Sequence, residues 1–158
     1  THVMDTKMIV IWVWLLLAVF AYMKWYSEAL FLGSNLVLTA LLVFLLKNIY
    51  QRPRPSILHL VEEKGFSFPS GHSLASTLVL GSLIIIISQH VKNKTARYCL
   101  QGLLVLGIVT IVVSRVYVGV HYPSDVLGSM ILGLAVLQFE YPLYDRLRFQ
   151  WRFTGKQK

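Results

Sequence analysis

The stretch Ser70–Val91, SGHSLASTLVLGSLIIIISQHV, decides the fold. It contains no Asp, Glu, Lys or Arg, and its length matches the roughly 17–25 residues that cross a bilayer as a helix. The run Ile84–Ile87 favours a strand locally, but the whole stretch is too long and too uniformly apolar for a barrel strand. The sequence therefore predicts a transmembrane helix here.

Four further apolar runs flank this stretch: Met8–Met23, Ala29–Leu46, Tyr98–Ser114 and Val126–Phe139. Hydrophobic residues make up 56% of the 158-residue chain and charged residues 14%, whereas soluble domains carry roughly 25% charged residues. Backbone polar groups in lipid must be satisfied within each segment, which favours helices. We predict an all-α polytopic transmembrane helix bundle, a single integral-membrane domain over residues 1–158 with five visible spans.

The positively charged residues predict the orientation of this bundle. The connecting regions on one side hold nine of the fifteen Lys and Arg residues: Lys24, Lys92, Lys94, Arg97, Arg146, Arg148, Arg152, Lys156 and Lys158. The positive-inside rule makes that side cytoplasmic, so the loop 51–69 and the turn 115–123 face outward. The net charge of +8 fits membrane lipids and phosphate substrates as partners, and we expect no nucleic acid.

A first polar cluster follows the second apolar run. It consists of Lys47, which closes the run, and Arg54-Pro55, in a segment that its prolines keep extended. An extended basic loop beside a lysine can surround a phosphate. The alternatives are a lysine that reaches the interface and solvated loop charges at Arg52 and Arg54.

A second cluster, Pro69-Ser70-Gly71-His72, opens the third run. Ser70 suits a helix N-cap, and Gly71 lets backbone approach a ligand. A helix N-terminus offers free N–H groups and a positive dipole end to phosphate. His72 could then protonate a leaving oxygen. The alternative is a capped helix with an incidental histidine.

The third cluster runs from Ser114-Arg115 through His121 to Asp125. Arg115 ends an apolar span, where an unpaired charge is costly, so it needs a partner or ligand. A carboxylate beside His121 would fix its tautomer and leave the other ring nitrogen free to attack. A purely structural histidine and helix-start aspartate are the alternative. A site for a metal on His72, His121 and Asp125 is opposed by the three nearby cations, which suit an oxyanion.

These clusters, in this order, resemble the type 2 phosphatidic acid phosphatase superfamily, which includes membrane lipid phosphatases and vanadium haloperoxidases. That family's motifs are Lys, six residues, Arg-Pro; then Pro-Ser-Gly-His; then Ser-Arg, five residues, His, three residues, Asp. Lys47 to Pro55, Pro69 to His72 and Ser114 to Asp125 match them, with Arg52-Pro53 out of register. The resemblance covers roughly residues 29–143.

The resemblance implies hydrolysis without a metal or cofactor through a phosphohistidine. His121 would be the nucleophile, Asp125 its orienting carboxylate and His72 the general acid. The residues implied to hold the phosphoryl oxygens are Lys47, Arg54, Ser70, Gly71 and Arg115. Because His121 must be neutral and His72 charged, we expect a bell-shaped pH profile.

Membrane members of this family usually have six spans, so the resemblance implies a first helix missing before Thr1. The small size and compact outer loop resemble the bacterial polyprenyl-diphosphate and phosphatidylglycerophosphate phosphatases. We expect a lipid phosphatase of the plasma (inner) membrane with its site on the extracytoplasmic side. Undecaprenyl diphosphate is favoured as substrate over phosphatidylglycerophosphate and phosphatidate. Vanadate-dependent haloperoxidation and non-catalytic binding or transport of lipid phosphates are the rival functions.

Overall fold

The computed structural model describes residues 6–56 and 63–157, and the regular structure within these ranges is helical throughout. Its elements are α1 (Thr6–Tyr22), α2 (Tyr26–Tyr50), α3 (Gly71–His90), α4 (Lys94–Tyr117) and α5 (Pro123–Phe153). The predicted all-α bundle is thereby confirmed, and the isoleucine run is helical. The additional helix expected before Thr1 lies outside the described residues and stays a prediction.

The helices α2 to α5 are each long and apolar enough to cross a membrane. The helix α1 has 17 residues, at the lower limit of the roughly 17–25 that a span requires. Large apolar side chains point out of the bundle, among them Val37, Phe44, Leu103 and Ile131, which are 65–68% exposed. Water would disfavour so much apolar surface, whereas lipid tails suit it.

The helix α3 lies at the centre, where it packs against α2, α4 and α5. It begins as the sequence predicts, because the Ser70 side chain accepts a hydrogen bond from the Ser73 N–H at 3.4 Å and so caps the first turn. Leu74 and Leu78 follow as fully buried core residues. The second motif cluster is therefore anchored to the most enclosed helix of the bundle.

Two glycines let α3 and α5 approach closely. A Cβ atom added at Gly133 would lie 2.8 Å from Thr77 Cγ2, and one added at Gly81 would lie 2.5 Å from Leu137 Cδ1. Gly102 of α4, by contrast, faces open space. Because α3 carries the second cluster and α5 the end of the third, this contact sets their separation.

The helix α5 is longer than the apolar run that predicts it. Pro123 occupies its first turn, as expected from the missing proline N–H. The helix then continues through Pro142 to Phe153, whereas the apolar run ends at Phe139. The basic residues Arg146, Arg148 and Arg152 consequently lie on a helix and not in a loose tail.

A polar network joins three helices at the end of the bundle away from the motif clusters. Glu28, fully buried in the first turn of α2, lies 2.9 Å from His90 Nε2 of α3 and 3.8 Å from Arg152 Nη2 of α5. The Ser27 hydroxyl donates to Glu28 at 2.8 Å. Gln157 bonds both the backbone N–H and the hydroxyl of Ser27 at 2.8 Å. Tertiary contacts thus fix this end.

Candidate active site

The structure brings the residues of all three sequence clusters to one end of the bundle. Lys47 lies in the last turn of α2, His72 at the start of α3, Arg115 in the last turn of α4, and Asp125 in the first turn of α5. Arg54 lies in the loop after α2. Clusters that are far apart in sequence are therefore neighbours in space.

Asp125 is fully buried, and both of its carboxylate oxygens are occupied. Oδ1 lies 2.5 Å from Arg52 Nη1. Oδ2 accepts a hydrogen bond from the Ser67 hydroxyl and another, of 3.0 Å, from the Tyr122 N–H. This carboxylate therefore holds the loop 63–70 and the turn before α5 together, and it caps the start of α5.

His121 lies in the turn before α5 with only 1% of its side chain exposed. Its Nδ1 faces Asp125 Oδ2 at 3.9 Å, beyond hydrogen-bond distance, and its Nε2 faces Glu63 Oε2 at 3.8 Å. Burial, reinforced by the positive charge of Arg54, lowers the pKa of His121 to about 4. Glu63, the Ser67 backbone and Asp125 act in the opposite direction. The imidazole is therefore neutral at pH 7, as a nucleophile requires.

Arg54 and Arg115 flank a common space in front of His121. The Arg54 Nη1 donates to the Val120 carbonyl at 2.8 Å, and its Nη2 lies 3.1 Å from Glu63 Oε2. The Arg115 Nη1 lies 3.4 Å from Glu63 Oε1. Lys47 is near enough for its charge to interact with those of Arg54 and Glu63. The two arginines form an anion-binding site that holds the Glu63 carboxylate.

Of the predicted site residues at the start of α3, His72 borders the anion-binding site, whereas Ser70 bonds to other serines. His72 is largely buried, and its Nδ1 lies 3.9 Å from Glu63 Oε1, so it borders the anion-binding site. The Ser70 N–H donates to the Ser129 hydroxyl at 2.9 Å, and the Ser70 hydroxyl is within 2.9 Å of Ser73 Oγ. A Cβ at Gly71 would meet only ordinary contacts with Val43. Phosphate binding by Ser70 and Gly71 stays a prediction.

The arrangement of ligand-type side chains bears on the metal alternative. Within residues 6–56 and 63–157, no three His, Cys, Asp or Glu side chains are grouped so that they could hold a metal ion. The space between the histidines is bordered by arginines instead. This arrangement suits a phosphoryl group, whose charge is spread over its oxygens.

The family model of the PAP2 superfamily matches residues 28–149, which include all three clusters. The chain belongs to the PAP2 superfamily.

Two relatives and one solved structure illustrate this membership. This PAP2 chain is 40% identical over 93 residues to phosphatidylglycerophosphatase B of Bacillus subtilis (strain 168), covering 56% of this chain and 44% of that protein. It is 29% identical over 127 residues to undecaprenyl-diphosphatase BcrC of the same organism, covering 77% and 61%. The chain thus spans less than two thirds of either relative.

The crystal structure of a transmembrane PAP2 type phosphatidylglycerolphosphate phosphatase from Bacillus subtilis has the same fold. Its TM-score is 0.83 at 26% identity, and the match covers 92% of this chain and 73% of that one. The resemblance to type 2 phosphatidic acid phosphatases is therefore confirmed.

Sequence reasoning missed several residues of this candidate site. Arg52, interpreted as a solvated charge outside the motif register, pairs with Asp125, and its guanidinium lies 4.3 Å from the centre of the Tyr122 ring. Alternate residues of an extended chain face the same side, so the predicted extended segment could have grouped Arg52 with Arg54. No local signal marks Ser67 or Glu63.

Proposed function

We propose that the protein hydrolyses a membrane lipid phosphate or diphosphate through a phosphohistidine on His121. The observation that carries this proposal is that two arginines and two histidines surround one anion, the carboxylate of Glu63. They are Arg54, Arg115, His72 and His121. An anion in that position has two guanidinium groups to neutralise its charge and a neutral imidazole in front of it. Positioning and charge stabilisation are the main requirements of phosphoryl transfer.

In the first step, His121 Nε2 attacks the phosphorus atom, and the bond from phosphorus to the leaving oxygen breaks. This nitrogen faces the anion site, whereas Nδ1 faces Asp125. His72 gives a proton to the leaving oxygen, which departs as a lipid alcohol or as a lipid monophosphate. Arg54, Arg115 and Lys47 stabilise the charge on the non-bridging oxygens.

In the second step, water attacks the phosphohistidine. A bond forms from the water oxygen to phosphorus, the bond to Nε2 breaks, and His72 accepts the proton that water loses. The products are inorganic phosphate and neutral His121, so the cycle consumes one water and requires no cofactor. Asp125, which Arg52 and Ser67 hold in place, faces Nδ1 at 3.9 Å, and in this mechanism it orients the imidazole once that gap closes to hydrogen-bond distance.

An apolar cleft among α3, α4 and α5 suits the lipid tail. Its volume is about 600 Å³, and along α3 it extends from Thr77 to Ser88. Thr77 lies one helical turn beyond Ser73, whose carbonyl accepts its hydroxyl at 2.8 Å. The cleft therefore begins near the start of α3 and runs roughly 16 Å along that helix at about 1.5 Å per residue. A head group at the cations could keep its tail in this cleft.

Undecaprenyl diphosphate is the substrate we favour, and phosphatidylglycerophosphate is the second candidate. Each corresponds to the substrate in the name of a relative, undecaprenyl-diphosphatase BcrC and phosphatidylglycerophosphatase B. We place the protein in the plasma membrane with its site on the extracytoplasmic side. The support is that nine of fifteen Lys and Arg residues belong to the opposite connections.

A substrate panel tests this proposal. Purified protein in detergent is given undecaprenyl diphosphate, phosphatidylglycerophosphate and phosphatidate, and phosphate release is measured with and without EDTA. We expect release that EDTA leaves unchanged, and a loss of at least about 1,000-fold in His121→Ala. Release from none of the lipids would overturn the proposal, and recovery from EDTA by a divalent ion would favour the metal alternative.

A further inference from the structure

Glu63 places a carboxylate among the groups that the proposed mechanism assigns to phosphate. Its Oε2 lies 3.1 Å from Arg54 Nη2 and 3.8 Å from His121 Nε2. Its Oε1 lies 3.4 Å from Arg115 Nη1 and 3.9 Å from His72 Nδ1. The Glu63 side chain is 22% exposed, so it sits inside the site and not on its rim.

A carboxylate in this position imitates a phosphoryl group. A carboxylate carries its anionic oxygens in a plane, and a phosphoryl group carries them around a tetrahedral phosphorus. Arginine recognises both by charge-assisted hydrogen bonds. A phosphoryl group would need the same guanidinium nitrogens and the same approach to His121. If the Glu63 carboxylate stayed in place, it would repel the phosphoryl group, because like charges repel strongly where little water screens them.

The loop that carries Glu63 is held independently of its carboxylate. Arg54 Nε donates to the Gly65 carbonyl at 3.1 Å and Nη1 to the Val120 carbonyl at 2.8 Å. The Ser67 N–H donates to the Arg52 carbonyl at 2.8 Å. The Glu63 side chain can therefore leave the site while the backbone bonds that position Arg54 remain in place.

We propose that Glu63 is an internal competitor for the phosphate site, which it occupies in the substrate-free protein and must vacate before a lipid phosphate can react. The inference rests on the proposed function for the identity of the incoming ligand. Glu63 is thus a determinant of substrate affinity. Glu63 favours ligands that carry enough negative charge to displace its carboxylate from Arg54 and Arg115.

Titration with inorganic phosphate tests this competition without any turnover. Calorimetric titrations in detergent compare the wild-type protein, Glu63→Gln and Glu63→Asp, with Asp145→Asn as control. Asp145 is a carboxylate of α5 that pairs with Arg148 outside the site. We expect Glu63→Gln to bind phosphate at least fivefold more tightly, Glu63→Asp to lie between it and wild type, and Asp145→Asn to match wild type. Equal or weaker binding by Glu63→Gln, or no binding by any of them, would overturn the competition.

Steady-state kinetics provide the second measurement. With the lipid substrate, Glu63→Gln should lower KM at least fivefold without lowering kcat, since the competitor is removed and the reacting groups are kept. A lower kcat at unchanged KM would instead make Glu63 part of the chemical step and overturn the proposal. If wild type releases no phosphate from any lipid, the proposed function fails alone, because the phosphate titration still decides the role of Glu63.

Discussion

Arg52 Nη1 lies 2.5 Å from Asp125 Oδ1, although the two residues are 73 positions apart in sequence. The contact joins the segment after α2 to the first turn of α5. It also neutralises a carboxylate that is fully buried beside His121. Through this pair the loop fixes the position of Asp125, whose Oδ2 faces His121 Nδ1 at 3.9 Å.

Replacing Arg52 should therefore reduce activity through its partner. Arg52→Gln leaves the Asp125 charge without its cation, and we expect kcat/KM to fall about 10- to 100-fold. The free energy of unfolding should fall by about 1–2 kcal/mol, because the arginine side chain is 38% exposed and water screens part of its interaction. Phosphate release and thermal unfolding measure the two effects.

Arg97→Gln is the matched control for that substitution. Arg97 also lies over an aromatic ring, Tyr98, at 5.2 Å, but at the opposite end of the bundle. We expect its kcat/KM to remain within about twofold of wild type. Equal losses of kcat/KM in the Arg52 and Arg97 variants would mean that Arg52 acts only through the net charge of the protein and not through Asp125.

The pH dependence of kcat/KM should report His121. Burial and Arg54 lower the pKa of His121 to about 4, so protonation would remove the proposed nucleophile only at acid pH. The rate should rise with pH through about 4 and approach its maximum near pH 6. Phosphate release measured from pH 3.5 to 9 tests this, with tryptophan fluorescence at each pH to monitor folding. An acid limb centred near 6.5 would contradict the assignment.

The same pKa shift predicts how folding responds to acid. The unfolded imidazole has an ordinary pKa near 6.5, and the folded one about 4, so between these values the unfolded chain binds more protons. The contribution of neutral His121 to stability is complete above pH 6.5 and is lost as the pH falls toward 4. Midpoints of thermal unfolding should fall less steeply over this window in His121→Gln than in wild type. Identical slopes would argue against the shift.

The contact between α3 and α5 predicts opposite outcomes for two glycines. Gly133→Ala forces a methyl group against Thr77, and we expect a loss of about 1–3 kcal/mol in the free energy of unfolding. Gly102→Ala meets open space and should be neutral or slightly stabilising, since alanine favours helix. Unfolding in detergent measures both, and equal behaviour of the two variants would disprove the close approach.

Cysteine labelling tests the orientation that the charges predict. Cys99, which is exposed, is first replaced by alanine. Ser56→Cys lies in the loop after α2 and Lys92→Cys between α3 and α4, both exposed. A membrane-impermeant maleimide added to intact spheroplasts should label the first and reach the second only after permeabilisation. The reverse pattern would place the site in the cytoplasm.

The helices could be predicted because each depends on a local property, the length of an apolar run. Their ends were less predictable, as α5 illustrates. Glu140 and Pro142 interrupt the apolar pattern, yet the helix continues to Phe153. Contacts beyond the run hold it there, among them the stacking of Tyr144 on Phe31 and the interaction of Arg152 with Glu28. Such tertiary contacts leave no trace in local composition.

The grouping of the candidate site residues was predictable where motif spacing encodes it. It was unpredictable where loops fold back onto the site. The motifs identified four residues that the structure gathers around the Glu63 carboxylate: Arg54, His72, Arg115 and His121. The Ser67 contact to Asp125 bridges 58 positions and depends on the path of the outer loop. Neither that path nor the entry of a glutamate into a basic site follows from composition.

The exposed apolar side chains of α2, α4 and α5 have a consequence for how kinetics should be expressed. A lipid phosphate that reaches the site from the surrounding bilayer is dissolved in the same lipid phase as the protein. Its effective concentration is a mole fraction in the membrane or micelle and not a molarity in water. Added detergent therefore dilutes such a substrate at constant total amount, and a KM compared between laboratories is meaningful only at a stated ratio of substrate to amphiphile.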